Sequence, residues 1–429
     1  MVALDELARG LGRLVDTLGI VGRTLGPFDT NPVPADWVHV TKLDPEDEKK
    51  LPLLYPLFLC HTSAVSVGGS SDVTAANTEE TFSLLDPLSV PAFHEPSEAR
   101  HVTQRTREAA TFIAIPEVLN GDSESLIGTL GKGTEYIREE LTPAMLAETL
   151  PRWTPGPVLD ALSNVATSVL LSEAVFEAYV IQNPDSAAAR EANVDEDDLL
   201  SASAAKQHAM AAERHLESEL VYLEYSGTYG GEEAAAILST VADSLDWSRL
   251  WYGGGLDSHE HARAMLDAGA DAVVVGDVFH EVAAEEAALC ADARADLPAD
   301  TDTATVREWV ANNVVADESA AARYLSTVPS VERPIATAER YLVATIRTYL
   351  ELRRLAEAVA AAEPKTRAEL QTVVAEKVEG SFPGERYLRS TAGEQSATVA
   401  RRITVDVLAR WSGLGDESGL PVSHLSTDL

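Results

Sequence analysis

Trp251-Tyr252-Gly253-Gly254-Gly255-Leu256 and, one helix later, Ala272-Val273-Val274-Val275-Gly276-Asp277 decide the fold. Each is a β-branched or aromatic run that ends in glycine, as a buried strand running into a tight loop would. The segment between them reads as a helix. Asp257 with Glu260 three residues on makes a capping pattern, Ala262, Met265 and Leu266 make a buried stripe, and Gly269 suits a left-handed stop. The order is therefore strand, glycine loop, helix, strand, glycine turn. In a (β/α)8 barrel the loops after the seventh and eighth strands are the usual phosphate site. Glycines there let backbone N–H groups approach phosphate oxygens with no Cβ in the way. A lone triple glycine would favour a tight turn with no ligand; glycine loops in two consecutive units favour a phosphate.

Outward from this point, short β-branched runs alternate with helical patterns from Trp37 to about Glu281. The runs are Val38–Leu43, Ala64–Val67, Phe112–Ile115, Ala178–Ile181, Leu220–Glu224, Leu250–Tyr252 and Ala272–Val275. Such alternation argues for a parallel sheet with crossover helices. The fold class expected is α/β: a TIM-barrel-like, phosphate-binding (β/α)8 barrel over 37–281, with a helical insertion at about 121–175. Residues 1–36 read as an N-terminal helical extension ending in a proline-containing linker. Residues 282–429 read as a C-terminal helical extension, with apolar residues such as Tyr341, Ile346, Leu350 and Leu355 at helical spacing. Lacking glycine loops, that extension is expected to stand apart from the chemistry. The last stretch, Ser412–Leu429, reads as loose.

The chain has 429 residues, a hydrophobic content of 45%, and 69 acidic against 33 basic residues for a net charge of −36. Arg outnumbers Lys, and the acidic residues are spread along the chain, which suits a surface adapted to high salt, where screening weakens self-repulsion. No basic cluster could track a nucleic-acid backbone. Cys60 and Cys290 alone make neither a disulfide framework nor a zinc site, and suit a reducing cytoplasm. Met1 to Gly26 shows no long apolar run or cleavage site, so no signal peptide is expected. No stretch is apolar for long enough to span a bilayer, which leaves only peripheral membrane contact.

Four further stretches carry chemistry. In Val221-Tyr222-Leu223-Glu224-Tyr225-Ser226-Gly227, the strand period puts Tyr222, Glu224 and Ser226 on one face and Leu223 and Tyr225 on the other. A carboxylate facing a barrel interior needs a cation, a bound hydroxyl or a raised pKa; a strand with one solvated polar face is the plainer alternative. In Lys42-Leu43-Asp44-Pro45, Lys42 could balance Glu224 or hold a phosphate, and Asp44 could bind Mg2+ through oxygen. Alone, that motif is no more than a surface ion pair. Val67-Gly68-Gly69-Ser70 and His94-Glu95-Pro96-Ser97 are weaker again, but all lie at strand ends, where barrel enzymes keep their sites. Asn120, Asn183 and Asp185 read as turn residues rather than ligands. Among the 10 histidines no spacing suits zinc.

Taken together and in order, Lys42-Leu43-Asp44-Pro45, Gly68-Gly69-Ser70, Glu95-Pro96-Ser97, Tyr222–Gly227, Tyr252–Gly255 and Val274–Asp277 resemble the geranylgeranylglyceryl and heptaprenylglyceryl phosphate synthases, the PcrB-like family. The resemblance covers about residues 37–281 and looks like the family's first group. It implies a Mg2+-dependent prenyltransferase that joins a long prenyl diphosphate to sn-glycerol 1-phosphate in archaeal ether-lipid synthesis. It implies that Lys42, Tyr222, Leu223, Glu224, Tyr225, Ser226, Gly227, Gly255, Gly276 and Asp277 hold glycerol phosphate. Glu224 and Lys42 would be catalytic, and Asp44 and Ser70 would hold the metal. The family usually has Asn where this chain has Asp277, and Gly-Thr-Asp where it has His61-Thr62-Ser63. A cytoplasmic enzyme, with a homodimer left open, is expected. The rivals are another phosphate-binding barrel, such as a sugar-phosphate isomerase or aldolase, and a non-catalytic paralogue.

Overall fold

The computed structural model describes residues 29–46, 49–69, 72–151, 153–414 and 425. The N-terminal helix expected before position 29 lies outside the described residues, as do Ser70 and most of the segment after 414.

Eight strands form one parallel sheet: β1 His39–Leu43, β2 Ala64–Val67, β3 Ala92–His94, β4 Ala114–Val118, β5 Val175–Ile181, β6 Leu220–Glu224, β7 Arg249–Gly253 and β8 Ala272–Val275. Their order is β3-β2-β1-β8-β7-β6-β5-β4, with β1 pairing β8 through Val40 and Val274. A bridge between His94 and Ile113 joins the two outer strands and closes the barrel. That seam is thin: the His94 N–H donates to Phe112 at 3.1 Å and the Thr111 N–H to Ala92 at 2.7 Å.

The sequence reading names every strand except β3. At three residues, β3 is too short to show a period. The sequence reading also ends β4 early, at Ile115, one residue before a proline, which cannot donate to a ladder. The structure carries β4 through Pro116 to Val118, on the strand beside the thin seam.

The two faces of each strand build two layers. Inward lie Val40, Phe93, Ala114, Tyr179, Tyr222, Trp251 and Val274, and Trp37 stacks on Phe93 with ring centres 5.9 Å apart. Outward, Leu43, Val65, Leu223, Tyr225, Val273 and Val275 pack under the helices. Helical turns from Glu124 to Thr149 and the helix Gly156–Ser172 fill the long connection between β4 and β5. One cap differs from expectation: Ser258, not Asp257, accepts from the His261 N–H to start the helix His259–Asp267, and Asp257 pairs instead with the His261 ring at 3.1 Å.

The helix after β8 runs unbroken from Asp277 to Asp296. Beyond it lie helices Thr303–Asn313, Ala320–Thr327, Pro334–Ala360, Arg367–Lys377, Glu385–Ala392 and Ser396–Trp411, of which Ala320–Thr327 bonds the back of β1 through Tyr324 and Thr327. Phe58, Phe279, Tyr324 and Tyr349 lie in one core with Leu43 and Val65, so this extension is continuous with the barrel's outer layer. The 27-residue helix Pro334–Ala360 buries Leu342, Ile346 and Leu350. No helix among the described residues is long and apolar enough to cross a membrane.

Candidate active site

All strands of a parallel barrel point the same way, so the residues at their C-terminal ends converge on one mouth. Lys42, Asp44, Tyr222, Glu224, Ser226, Gly227, Gly255, Gly276 and Asp277 line a single cleft of about 920 Å³ there. Leu223 and Tyr225 do not reach it. Alternate strand positions face opposite sides, and these two side chains pack under the helices. Ser70 lies outside the described residues.

Two glycines are required by their surroundings. A Cβ on Gly253 would stand 1.9 Å from the Tyr222 hydroxyl, so this position must be bare for Tyr222 to occupy the interior. Gly255 has φ +31°, and a Cβ there would meet the Thr228 carbonyl carbon at 2.5 Å. At the other loop Gly276 begins the helix Asp277–Asp296 without a side-chain cap, so the first N–H groups of that helix are available to an anion.

The charged centre differs from the expected pairing. Lys42 Nζ lies 3.0 Å from Glu95 Oε1, so Glu95 is its direct partner rather than Glu224. Glu95 also accepts from Ser66 Oγ at 2.6 Å and from the Tyr179 hydroxyl. Burial alone would raise the Glu95 carboxyl, but Lys42 and these donors hold it below its ordinary value. Burial alone would likewise lower the Lys42 ammonium, yet Glu95, Glu224 and Asp44 together hold it above its ordinary value.

Glu224 has the opposite character. Burial pushes its carboxyl up to about 7, against the pull of nearby Lys42. Ser226 donates its hydroxyl to this carboxylate from two residues further along the chain. Tyr222 stacks on Tyr179 with ring centres 4.5 Å apart. One position deeper, Glu177 is fully buried, its Oε2 has no hydrogen-bond partner, and burial raises it well above the ordinary range. One barrel mouth thus holds an ionised pair, Lys42 and Glu95, beside a carboxyl poised near neutrality. Environments that push like groups apart in this way mark acid–base sites.

The sequence reading undervalued Glu95 and missed Glu177 and Tyr179. A signal exists for the latter two: they alternate on β5 as Tyr222 and Glu224 do on β6. Starting the strand at Ala178 left Glu177 outside it, whereas β5 begins at Val175. Asn120 and Asn183 are structural, as expected. Asn120 bonds the backbone of Ile181 in both directions, at 2.7 and 3.0 Å, and Asn183 donates to the Ser226 carbonyl at 2.6 Å.

Asp44 is held by its surroundings. Its backbone N–H donates to His280 Nε2 at 3.2 Å, while His280 Nδ1 donates to the Lys50 carbonyl at 3.0 Å. Burial lowers the His280 pKa, consistent with this neutral ring. Lys49 Nζ bridges Asp44 at 3.2 Å and Asp277 at 3.5 Å, which compensates the carboxylate at position 277. Asp44 Oδ1 and Glu46 Oε1 both approach the open side of Gly69, at 3.3 and 3.1 Å from where a Cβ would stand. Two hard oxygen donors on one side of a bare glycine suit a divalent ion such as Mg2+. Among the described residues no group of three or more His, Cys, Asp or Glu side chains forms a complete metal site.

An apolar cavity of about 800 Å³ adjoins the cleft, and Pro96, Ser97 and Pro116 line both. It follows the thin β3–β4 seam down to Trp247 and is walled by Leu130, Ile137 and Leu141 of the insertion. On the opposite side of the cleft stands Arg323, from the C-terminal helices. The expectation that those helices stand apart from the site therefore does not hold: packing against the back of β1 carries one of their side chains over its end.

The geranylgeranylglyceryl phosphate synthase of Haloquadratum walsbyi is 31% identical over 272 residues, covering 61% of this chain and 96% of that protein. The heptaprenylglyceryl phosphate synthase of Bacillus cereus is 29% identical over 249 residues, covering 57% of this chain and 91% of that one. A solved geranylgeranylglyceryl phosphate synthase from Thermoplasma acidophilum, in complex with sn-glycerol-1-phosphate, superposes with a TM-score of 0.41 at 21% identity, over 57% of this chain and 86% of that one. The model of the PcrB family matches residues 34–293, more than half of the chain. This chain belongs to the PcrB family.

Proposed function

We propose that this protein transfers a prenyl group of geranylgeranyl length or longer from its diphosphate to sn-glycerol 1-phosphate, the first ether bond of an archaeal-type membrane lipid. The observation that carries the reading is Glu224: a buried carboxyl poised at about 7, facing the cleft that both glycine loops line. The curated relatives' names support the same reaction class.

The phosphate of the acceptor docks on the backbone of the Gly253–Gly255 loop and on the uncapped helix start at Gly276, where partial positive charge gathers. Its terminal hydroxyl, at the end away from the phosphate, then points across the cleft to Glu224. As the bond from prenyl C1 to the diphosphate oxygen breaks and the new carbon–oxygen bond forms, Glu224 accepts the hydroxyl proton. A base near neutrality is ionised in a useful fraction of molecules yet protonates readily. Holding both partners in register contributes further to the rate. Asp44, with Ser70, would hold Mg2+, and when bound the ion neutralises charge on the departing diphosphate. The prenyl tail enters the apolar cavity past Pro96 and Pro116, where its transfer from water is favourable.

An isomerase or aldolase reading explains the glycine loops but leaves the apolar cavity at the β3–β4 seam without use. The test is incubation of the pure protein with Mg2+, each glycerol phosphate isomer and a series of labelled prenyl diphosphates. A lipid-soluble prenylglyceryl phosphate from the sn-1 isomer is expected, lost in Asp44→Asn. Binding of glycerol phosphate without product from any donor would overturn the reading in favour of a non-catalytic paralogue.

A further inference from the structure

Arg323 sits on the helix Ala320–Thr327, in the C-terminal extension beyond the family match, yet lines the cleft with Gly276, Asp277 and Val278. Its position is imposed from both sides. Tyr324, the next residue, is buried and bonded to Thr41 on β1 at 2.7 Å. On the cleft side, Arg323 Nη2 pairs with Glu281 Oε2 at 2.6 Å, one helical turn after Asp277. Arg323 therefore lies beside the helix whose open N-terminus faces the cleft, held one turn in from its start.

The other two cations of the cleft are committed. Lys42 is paired with Glu95, and Lys49 is shared between Asp44 and Asp277. Arg323 pairs with Glu281 through one terminal nitrogen, and the Glu285 carboxylate also lies within reach of its charge. That pair is half exposed, with side-chain exposures of 36% and 51%, and such pairs are weak. A phosphate offers a stronger partner, because its oxygens match the planar fork of a guanidinium.

We propose that Arg323 is a phosphate-binding residue of this site, supplied by the C-terminal extension. It exchanges Glu281 for the phosphate of the acceptor bound at Gly276. This deepens the function proposed above and rests on it for the identity of the ligand. It also assigns the extension a part in the site.

The experiment compares Arg323→Ala, Arg323→Lys and Glu281→Gln in the full chain, varying glycerol phosphate and prenyl diphosphate separately. Arg323→Ala is expected to raise KM for glycerol phosphate by about tenfold or more, with kcat changed far less, since a charge-assisted contact to the bound phosphate is lost. KM for the prenyl diphosphate should stay close to wild type. Arg323→Lys should restore part of the loss, and Glu281→Gln should not raise KM, because it frees the guanidinium. An unchanged KM for glycerol phosphate in a folded Arg323→Ala protein overturns the proposal. So does an equal loss in Arg323→Ala and Glu281→Gln, which would mark the pair as structural. Calorimetric titration of wild type and variants with glycerol phosphate and inorganic phosphate gives a readout independent of turnover. If the wild type binds phosphate but forms no product, the function proposed above fails, while the ratio of affinities still judges Arg323.

Discussion

The hydroxyls of Tyr324 and Thr41 lie 2.7 Å apart, both buried, across the contact between the C-terminal helices and the back of β1. The next residue on β1, Lys42, faces the cleft, and the residue before Tyr324 is Arg323. One hydrogen bond thus ties the two cation-bearing elements together. Tyr324→Phe should lower the unfolding free energy by about 1 kcal/mol, the usual net value of a buried hydrogen bond. A thermal melt identical to wild type would mean that the apolar contacts of Tyr324 and the neighbouring His39–Thr327 bond, at 3.1 Å, hold this joint without it.

Glu224→Gln removes the proton acceptor while keeping the shape of the side chain. The expected result is a fall in kcat of about 10²–10⁴-fold, the span usual for general bases, with a much smaller change in KM for glycerol phosphate. Steady-state kinetics with both substrates varied checks it. A large KM effect with kcat preserved would make Glu224 a binding group instead.

The same residue sets a pH limb. The working form of Glu224 is ionised, and its pKa in the fold is about 7. Below that value the protonated fraction dominates, so kcat/KM should fall by about tenfold per pH unit as the pH drops, and level off above it. The limb should disappear from the residual activity of Glu224→Gln. A profile that is flat from pH 5 to pH 8 in the wild type would contradict the role.

Gly253→Ala should damage the site by displacing Tyr222 as well as by crowding the glycine loop. The added carbon would meet the Tyr222 hydroxyl at 1.9 Å and force that ring off its stack on Tyr179. Overpacking of this kind costs about 1–3 kcal/mol, and activity should fall with it. Thermal melting and kcat measured together test it; wild-type values in both would show that Tyr222 moves freely.

Glu286 provides a stability test away from the cleft. Fully buried, it accepts from the Leu53 N–H and the Thr345 hydroxyl, each at 2.8 Å, joining the barrel to the helix Pro334–Ala360. Burial raises it from 4.5 to about 7. The folded state therefore binds the proton more tightly than the unfolded chain. The resulting stabilisation is complete below the unfolded value and is lost as pH rises through about 7. Its size is on the order of 3 kcal/mol. Glu286→Gln should flatten this dependence, so its melting temperature gains on wild type from pH 5 to pH 8. A constant difference across that range would show that Glu286 does not titrate there.

The strand period and the glycine loops are local properties, and they were legible in the chain. A β-branched run ending at Gly253 or Gly276 reads as a strand entering a tight loop wherever it sits, and the alternation in Tyr222–Ser226 assigns faces without a neighbour. What the tertiary structure decided is which distant residues meet. Glu95 became the partner of Lys42, rather than Glu224, because β3 lies two strands from β1 and β6 lies three. The short β3 was invisible because three residues show no period. Arg323 entered the cleft because Tyr324 docks behind β1, a contact between residues 283 positions apart that no spacing rule reports. Sequence periodicity records which side of an element is buried; only closure of the barrel and packing of its helices determine what each buried or inward side chain is buried against.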